Sequence, residues 1–310
     1  MNNDLPAHLL PLDLDRALGN SVPLFCRIAD WGLLQVTGAD AEKFLQGQVT
    51  CDMRRLGEQG YLGGAFCNPK GRVLATFQLF ASGGAIYLRM PRDLISHMQS
   101  HLQRYAAFFD VRVDYAHELI GLAIFGNSAA RLTAADMLGG AFQQEMTECW
   151  GTPDQVQNLE KHLLSELPQG SPDWWDAHLI RNGSAQIVSL TSEHFLPHQL
   201  SMDLSGAVSF RKGCYTGQEI VARTQYRGKS KKRLAAARLH HRENFYPGTE
   251  IIGLDNQPIG HMLMSVSDAA GTLIQAILPD DLATQGELVL GNHKTPYELV
   301  RLPFQEYPEA

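Results

Sequence analysis

The chain has 310 residues, a formal net charge of −7, 44% hydrophobic residues and 19% charged residues. Its length allows two or three domains with substantial cores, and its composition is that of an ordinary soluble globular protein. No apolar run approaches the length of a membrane span, and the N-terminal residues lack the basic start and apolar core of a secretory signal. We therefore predict a cytoplasmic protein without a membrane partner.

The first third of the chain reads as an α+β unit. Residues 32–38 predict a short strand that ends in a turn, and residues 39–56 predict a helix with Phe44 and Leu45 on its apolar side. Residues 63–90 predict strands joined by turns at 68–71 and 83–84. Residues 92–108 follow as an amphipathic helix whose apolar face carries Leu94, Met98, Leu102 and Tyr105.

The middle of the chain continues with a strand at 119–126 and a helix at 128–138. Thr152 precedes a proline and stands three residues before Gln155, which predicts a capped helix start. Ser171 opens the next helix in the same way, and this helix carries Trp174 and Trp175 and ends near Gly183.

The C-terminal part consists of short strand-like segments separated by Pro, Gly, Asp and Asn, which predicts a small antiparallel β-barrel. The polar stretch 226–233 is the expected boundary. We predict an α+β region over 1–228 and a barrel domain over 229–310.

The stretch KGCYTGQEIVAR, residues 212–223, is the strongest candidate for chemistry. Thr216 and Glu219 match a capping box, which would place Cys214 two residues before a helix cap. The helix dipole and the neighbouring Lys212 would both favour the thiolate form of the cysteine. From the residues alone, a reactive cysteine and an inert cysteine in a tight turn remain equally good interpretations.

The remaining charge and cysteine patterns limit the partners. Residues 211–233 contain eight basic residues and one acid, so this basic segment carries +7 in an acidic chain and predicts an anionic partner at one place.

His97 and His101 lie four apart but lack a third ligand, so we predict no metal site. The five scattered cysteines include no CxxC pair, which indicates a reducing compartment. They are Cys26, Cys51, Cys67, Cys149 and Cys214.

The stretch 212–223 resembles the signature of the YgfZ family of bacterial folate-binding proteins, and so do residues 30–52, 67–73 and 195–219. The resemblance implies the fold of the glycine cleavage T-protein. In that fold an aminomethyltransferase-like folate-binding region of two subdomains and a C-terminal antiparallel β-barrel form a ring around a central opening.

The resemblance also implies site residues. Tetrahydrofolate, or a derivative, is the expected cofactor, contacted by Trp31 and by Trp175, with Trp174 the alternative for the second position. Lys212 and Cys214 are the expected reactive pair.

Tyr215 and Arg223 of the same signature are further expected folate contacts. Indole faces suit the flat rings of a folate, and the basic segment suits its anionic glutamate tail. The chain departs from the family pattern at Ser184, Ala185, His198 and Ser201.

Two functions follow from the resemblance. The first is a tetrahydrofolate-binding protein that supports iron–sulfur cluster assembly or repair and, through it, tRNA modification. Iron–sulfur enzymes or assembly proteins are then the expected partners, and tRNA is an indirect one.

The alternative is a folate-dependent aminomethyltransferase of the T-protein type. That alternative is disfavoured because residues 68–77 contain no acid and T-proteins lack the signature cysteine. Direct tRNA binding by the basic segment has only its charge in support.

Overall fold

The computed structural model describes residues 9–19, 22–126, 137–143, 146–228, 230–253, 255–280, 287–290 and 293–304. These residues form three sheets with helices packed against them. The mixed α+β class predicted from the sequence is confirmed. Most of the helix predicted at 128–138 lies outside the described residues.

The first sheet has the strand order β3-β4-β5-β2-β6, with antiparallel neighbours throughout. Helix α4 packs on it through Leu94, Met98 and Leu102, as predicted, whereas Tyr105 is exposed. The elements of this part are β2 (Trp31–Thr37), α2 (Ala41–Gln46), α3 (Leu56–Gln59), β3 (Tyr61–Cys67), β4 (Val73–Ser82), β5 (Ala85–Pro91), α4 (Arg92–Ala106) and β6 (Arg112–Tyr115).

The single helix predicted over 39–56 is wrong. Helix α2 ends before Gly47, and a 3-10 helix at Met53–Arg55 precedes α3. Between them the chain turns to meet β3, because Thr50 N–H donates to the Ala65 carbonyl at 3.0 Å. The Thr50 hydroxyl oxygen in turn accepts from Ala65 N–H at 2.9 Å. These tertiary hydrogen bonds replace the helical ones that periodicity alone predicts.

The second sheet has the order β10-β1-β7-β9-β8. Helix α5 begins with the predicted capping box, in which Thr152 and Gln155 bond each other's backbone N–H groups. The second predicted cap is wrong: Pro172 occupies the cap position of α6 and provides no side-chain bond. The elements are α1 (Leu14–Leu18), β1 (Leu24–Ile28), β7 (Ile120–Phe125), β8 (Leu138–Gln143), β9 (Met146–Gly151), α5 (Pro153–Leu163), β10 (Gln169–Gly170) and α6 (Asp173–Arg181).

The C-terminal strands pair antiparallel in the cyclic order β11-β14-β13-β12-β15-β16, which closes a barrel. Side chains of the barrel strands form a small core of their own. Leu263, Val266 and Leu273 of the barrel instead belong to the main core, to which α6 also contributes. Helix α7 (Gln218–Arg227) leads into the barrel strands β11 (Lys232–Leu239), β12 (Glu250–Ile252), β13 (Pro258–Ser267), β14 (Thr272–Pro279), β15 (Glu287–Leu290) and β16 (His293–Val300). None of the helices in the described ranges is both long and apolar enough to cross a membrane.

Candidate functional site

A cavity of about 920 Å³ lies between the first sheet, α1, α6 and the segment 200–207. Strands β3 and β4 contribute residues 61–64 and 76–78, and the last turn of α6 contributes a further wall. This volume falls within the range of about 300–1,000 Å³ that is usual for small-molecule sites. The cavity is therefore the candidate functional site.

Aromatic side chains supply part of its wall. Tyr61, Phe77 and Trp174 line the cavity. The Trp174 indole is held in place because its N–H donates to the Pro11 carbonyl at 3.2 Å. Of the two adjacent tryptophans of α6, Trp174 is the one that lines the large cavity, and Trp175 points to the space beneath it.

The charged side chains in the described cavity wall are all basic. Arg16, Arg55 and Arg181 line the cavity, and among the described residues no carboxylate lines it. In the same part of the chain, none of the three forms an ion pair. Unpaired cations in a concave wall raise the local concentration of anions, so this geometry suits a ligand that carries carboxylates or phosphates.

Beneath the cavity lies a buried ion pair that joins the two sheets. Arg89 of β5 places Nε 3.0 Å from Oε1 of Glu148 of β9, and both side chains are fully buried. The guanidinium carbon lies 4.7 Å from the ring centroid of Trp31 and 4.9 Å from that of Trp175. The indole N–H of Trp150 donates to the same carboxylate at 2.6 Å. Burial raises the pKa of Glu148, and the neighbouring guanidinium offsets part of that rise.

A second, very small cavity of about 10 Å³ adjoins this pair. Four buried polar atoms near it have no hydrogen-bond partner, although Arg89 Nε lies in ion-pair contact with Glu148: Arg89 Nε, Arg89 Nη1, Glu148 Oε2 and Trp175 Nε1. This space has room for about one water molecule, and its polar lining fits one. It shares Gln78 and His178 with the large cavity, so the ion pair forms a polar floor below the candidate site.

His178 stands between the two cavities. Its ring stacks on Trp175 with centroids 6.0 Å apart and planes 19° apart. Burial lowers the pKa of His178 to about 3, so the imidazole is neutral at pH 7. It therefore adds a flat, uncharged surface to the wall.

The residues predicted from the signature lie elsewhere. Lys212 is buried, and its ammonium donates to the Val49 carbonyl at 2.5 Å and to the Cys51 carbonyl at 2.8 Å. Burial lowers the pKa of Lys212 to about 8. The same ammonium lies 5.1 Å from the ring centroid of the buried Tyr215. These contacts anchor the signature loop to the protein.

Cys214 is exposed, and the other four cysteines are buried. The capping box predicted at Thr216 is wrong, because Gly217 occupies the cap position of α7 with φ 84° and no side-chain bond. A Cβ added at Gly217 would lie 2.5 Å from the Asn68 carbonyl oxygen, so the close approach of this loop to the turn 68–71 requires glycine. The tertiary contact, not a local cap, sets the start of the helix.

The structure brings only some of the predicted site residues together. Trp31 and Trp175 are neighbours, with ring centroids 6.4 Å apart, but both are buried around Arg89. Neither indole lines the large cavity, and Trp175 lines the small one, so the expected contact of both with folate stays a prediction. In the described part of the chain, its lining includes no residue of the basic segment and none of Lys212, Cys214, Tyr215 and Arg223. Arg223 is exposed on α7.

Sequence reasoning missed the cavity arginines and the buried pair. Arg16, Arg55 and Arg181 come from three separate elements, and Arg89 and Glu148 from two different sheets. No local spacing links them, so no motif could have identified them. Among the described residues, no group of three His, Cys, Asp or Glu side chains is arranged to hold a metal ion.

Two proteins of known name are similar in sequence to this chain over most of its length. The tRNA-modifying protein YgfZ of Colwellia psychrerythraea is 30% identical over 300 residues, covering 88% of this chain and 93% of that protein. The chain belongs to the YgfZ family. The protein of the same name from Aliivibrio fischeri is 30% identical over 302 residues, covering 89% of this chain and 90% of its own. The family resemblance predicted from residues 212–223 is confirmed, although no protein-family model matches the chain.

Among solved structures, the glycine cleavage system aminomethyltransferase T of Bartonella henselae superimposes with a TM-score of 0.71. The match covers 94% of this chain and 89% of that one at 16% identity. This chain thus shares the aminomethyltransferase fold that the family resemblance implied. At this level of identity the likeness establishes the fold alone.

Proposed function

We propose that this YgfZ-family protein binds tetrahydrofolate, or a derivative, in the large cavity. The proposal includes a ring-like arrangement of the two α+β subdomains and the barrel around that cavity. The observation that carries it is a cavity of about 920 Å³ whose described wall combines aromatic side chains with unpaired arginines and no carboxylate. A folate has the matching parts, namely flat aromatic rings and an anionic glutamate tail.

The chain's own residues have distinct tasks in this proposal. Tyr61, Phe77 and Trp174 pack against the rings, and the arginines hold the tail. Bound folate supplies a reduced pterin that carries one-carbon units. The protein shelters that pterin from water and fixes its orientation.

The proposed cellular role is support of iron–sulfur cluster assembly or repair, and through it of tRNA modification. Relatives in the family carry the name tRNA-modifying protein. We propose that Cys214 is the group that acts on an iron–sulfur partner, since its thiol is exposed while the other four are buried. Lys212 then serves by anchoring the loop that presents the thiol.

The alternative of a T-protein-type aminomethyltransferase remains disfavoured. In that chemistry a carboxylate orients the folate amine, and the described cavity wall contains none. An assay for folate-dependent release of ammonia from an aminomethylated lipoyl carrier protein tests this alternative directly. Activity in that assay would reinstate it.

The folate proposal is tested by calorimetric titration with 5-formyltetrahydrofolate, a reduced folate that resists oxidation. Ala207 lines the cavity, so Ala207→Trp fills part of it and should weaken binding at least tenfold. Ala270 is exposed and does not line the cavity, so Ala270→Trp is the matched control and should bind normally. If the parent protein does not bind, or if both variants bind alike, the cavity is not the folate site.

The cellular role is tested by complementation. In cells that lack this protein, the wild-type gene should restore the activity of an iron–sulfur enzyme and the tRNA modifications that depend on such enzymes. Cys214→Ser should fold normally and fail to restore either activity. Full restoration by Cys214→Ser would remove the thiol from the mechanism.

A further inference from the structure

We propose that Arg16, Arg55 and Arg181 bind the carboxylates of the folate's glutamate tail and make the cavity selective for folates with more than one glutamate. This assignment rests on the proposed function, because it specifies which folates the same cavity takes. It also moves tail recognition away from the basic segment 211–233, where the sequence alone places it.

The three arginines reach the cavity from different parts of the fold. Arg16 lies in the last turn of α1, Arg55 ends the 3-10 helix before α3, and Arg181 is the last residue of α6. Arg181 Nη1 lies 3.4 Å from the carbonyl oxygen of Ala17, which places this guanidinium beside α1 and its Arg16. The Arg16 and Arg55 side chains are exposed and also line the cavity, so they border its opening to solvent.

Among the described residues, the three cavity arginines lack the carboxylate partners that several other arginines have. Arg27 forms two bonds of 2.7 Å to Glu160, and Arg233 forms bonds of 2.9 and 3.1 Å to Asp203. In the described ranges, none of the three cavity arginines has a carboxylate partner. Planar guanidinium groups bind carboxylates in a bidentate manner, so an anionic ligand would satisfy donors that the protein leaves free.

The number of cations indicates the length of the tail. A folate with one glutamate presents two carboxylates, and each further glutamate linked through its γ-carboxylate adds one. Three arginines without internal carboxylate partners therefore match a tail of two or more glutamates. A folate with a single glutamate leaves at least one of these guanidinium groups without an anion.

The basic segment 211–233 is the competing candidate for binding the glutamate tail, but its described residues lie outside the cavity lining. Lys212 is bound to two backbone carbonyls, and Arg233 is bound to Asp203. Arg211, Arg223 and Lys231 are exposed, but no described residue of this segment lines the cavity. A tail bound in the cavity thus meets the three cavity arginines first.

The test compares the affinities of 5-formyltetrahydrofolate with one and with three glutamates. The parent protein should bind the triglutamate about tenfold or more tightly than the monoglutamate, and the ratio should fall as salt is raised. Arg16→Gln with Arg55→Gln should remove most of this ratio, because it should weaken triglutamate binding more than monoglutamate binding. Both side chains are exposed, so this double variant should fold. Adding Arg181→Gln should abolish the ratio.

Two further variants serve as controls for the effect of the cavity arginines on this affinity ratio. Neutralising Arg104, Arg112 and Lys161 removes three exposed cations that do not line the cavity, and this variant should keep the full ratio. Neutralising Arg211, Arg223 and Lys231 tests the basic segment and should also keep it.

The outcomes separate the two proposals. Equal affinity for both folates in the parent protein, or loss of the ratio in the basic-segment variant alone, would overturn tail binding by the cavity arginines and leave folate binding intact. If the parent protein binds neither folate, the proposed function fails and the tail assignment fails with it.

Discussion

Removing one member of the buried Arg89–Glu148 pair should destabilise the fold strongly, by an amount that depends on which member is removed. Both side chains are inaccessible to solvent, so an unpaired charge at either position has no water to stabilise it. Breaking such a pair usually costs about 3–5 kcal/mol. Glu148→Gln keeps the side-chain shape and an acceptor for Trp150, but it leaves the guanidinium uncompensated. Because arginine does not lose its proton, we expect the full cost of about 3–5 kcal/mol.

Arg89→Met should cost less at low pH than at neutral pH. Burial already raises the pKa of Glu148, and removal of the guanidinium raises it further, so the folded state holds a proton that the unfolded state releases above its ordinary pKa of 4.5. A group whose pKa is raised on folding stabilises the fold fully below its unfolded pKa, and that contribution is lost as the pH rises. The free energy of unfolding of Arg89→Met should therefore fall between about pH 4.5 and neutrality, by up to about 1.4 kcal/mol per pH unit.

Urea unfolding followed by tryptophan fluorescence is the appropriate assay, because Trp31 and Trp175 lie against the Arg89 guanidinium. A chain of this size need not unfold in two states, so the shift of the transition midpoint is the quantity to compare. The double variant Arg89→Met with Glu148→Gln should recover most of the loss, since it leaves no buried charge.

The control is Arg112→Met, which breaks the Arg112–Asp114 pair, whose side chains are 80% and 50% exposed, and it should cost at most about 1 kcal/mol. If Glu148→Gln shifts the midpoint no more than this control does, the buried pair does not hold the two sheets together as described.

Three further predictions concern single residues. Iodoacetamide at neutral pH should modify Cys214 before any other cysteine, because the other four thiols are buried; peptide mass mapping checks this, and equal rates would contradict it. Lys212→Met should lower the free energy of unfolding by about 1–3 kcal/mol, because the Val49 and Cys51 carbonyls lose their donor; an unchanged urea midpoint would refute the anchoring role. Burial lowers the pKa of His178 to about 3 from 6.5, so stability should fall as the pH falls from 6.5 towards 3, because the unfolded chain takes up the proton. His178→Gln should flatten urea-midpoint profiles over that range, and an unchanged slope would count against it.

Local signals predicted the elements that local contacts determine. The capping box at Thr152 depends only on residues within one turn, and it is present as predicted. The apolar face of α4 likewise follows from helical spacing. The cap predicted at Thr216 has the same local pattern, but Gly217 takes the cap position because its backbone packs against the turn at Asn68. Tertiary contact overrides a local cap where the two conflict.

The candidate site was less predictable, because its parts come from distant positions. The signature identified the family correctly and drew attention to Cys214, which is the exposed thiol. The same reasoning assigned the anionic ligand to the basic segment, where charges cluster in sequence. The cavity arginines come together only when α1, the 3-10 helix and α6 pack around the same cavity. Their spacing in the sequence therefore does not predict that they are neighbours.

The position of the thiol relative to the cavity bears on the choice between the two functions. In the proposed function the thiol and the folate act at different places, because Cys214 is exposed and does not line the described cavity wall. The two places are nevertheless joined by a short set of contacts. Gly64 lines the cavity, and a Cβ added there would lie 2.9 Å from Cys51 Sγ. The Cys51 carbonyl accepts from Lys212, two residues before the thiol. Under the proposed function, a folate sheltered in the cavity and an exposed thiol that share one packed segment suit a protein that presents its thiol to a partner while the ligand is bound. The alternative, an aminomethyltransferase of the T-protein type, assigns no task to this thiol.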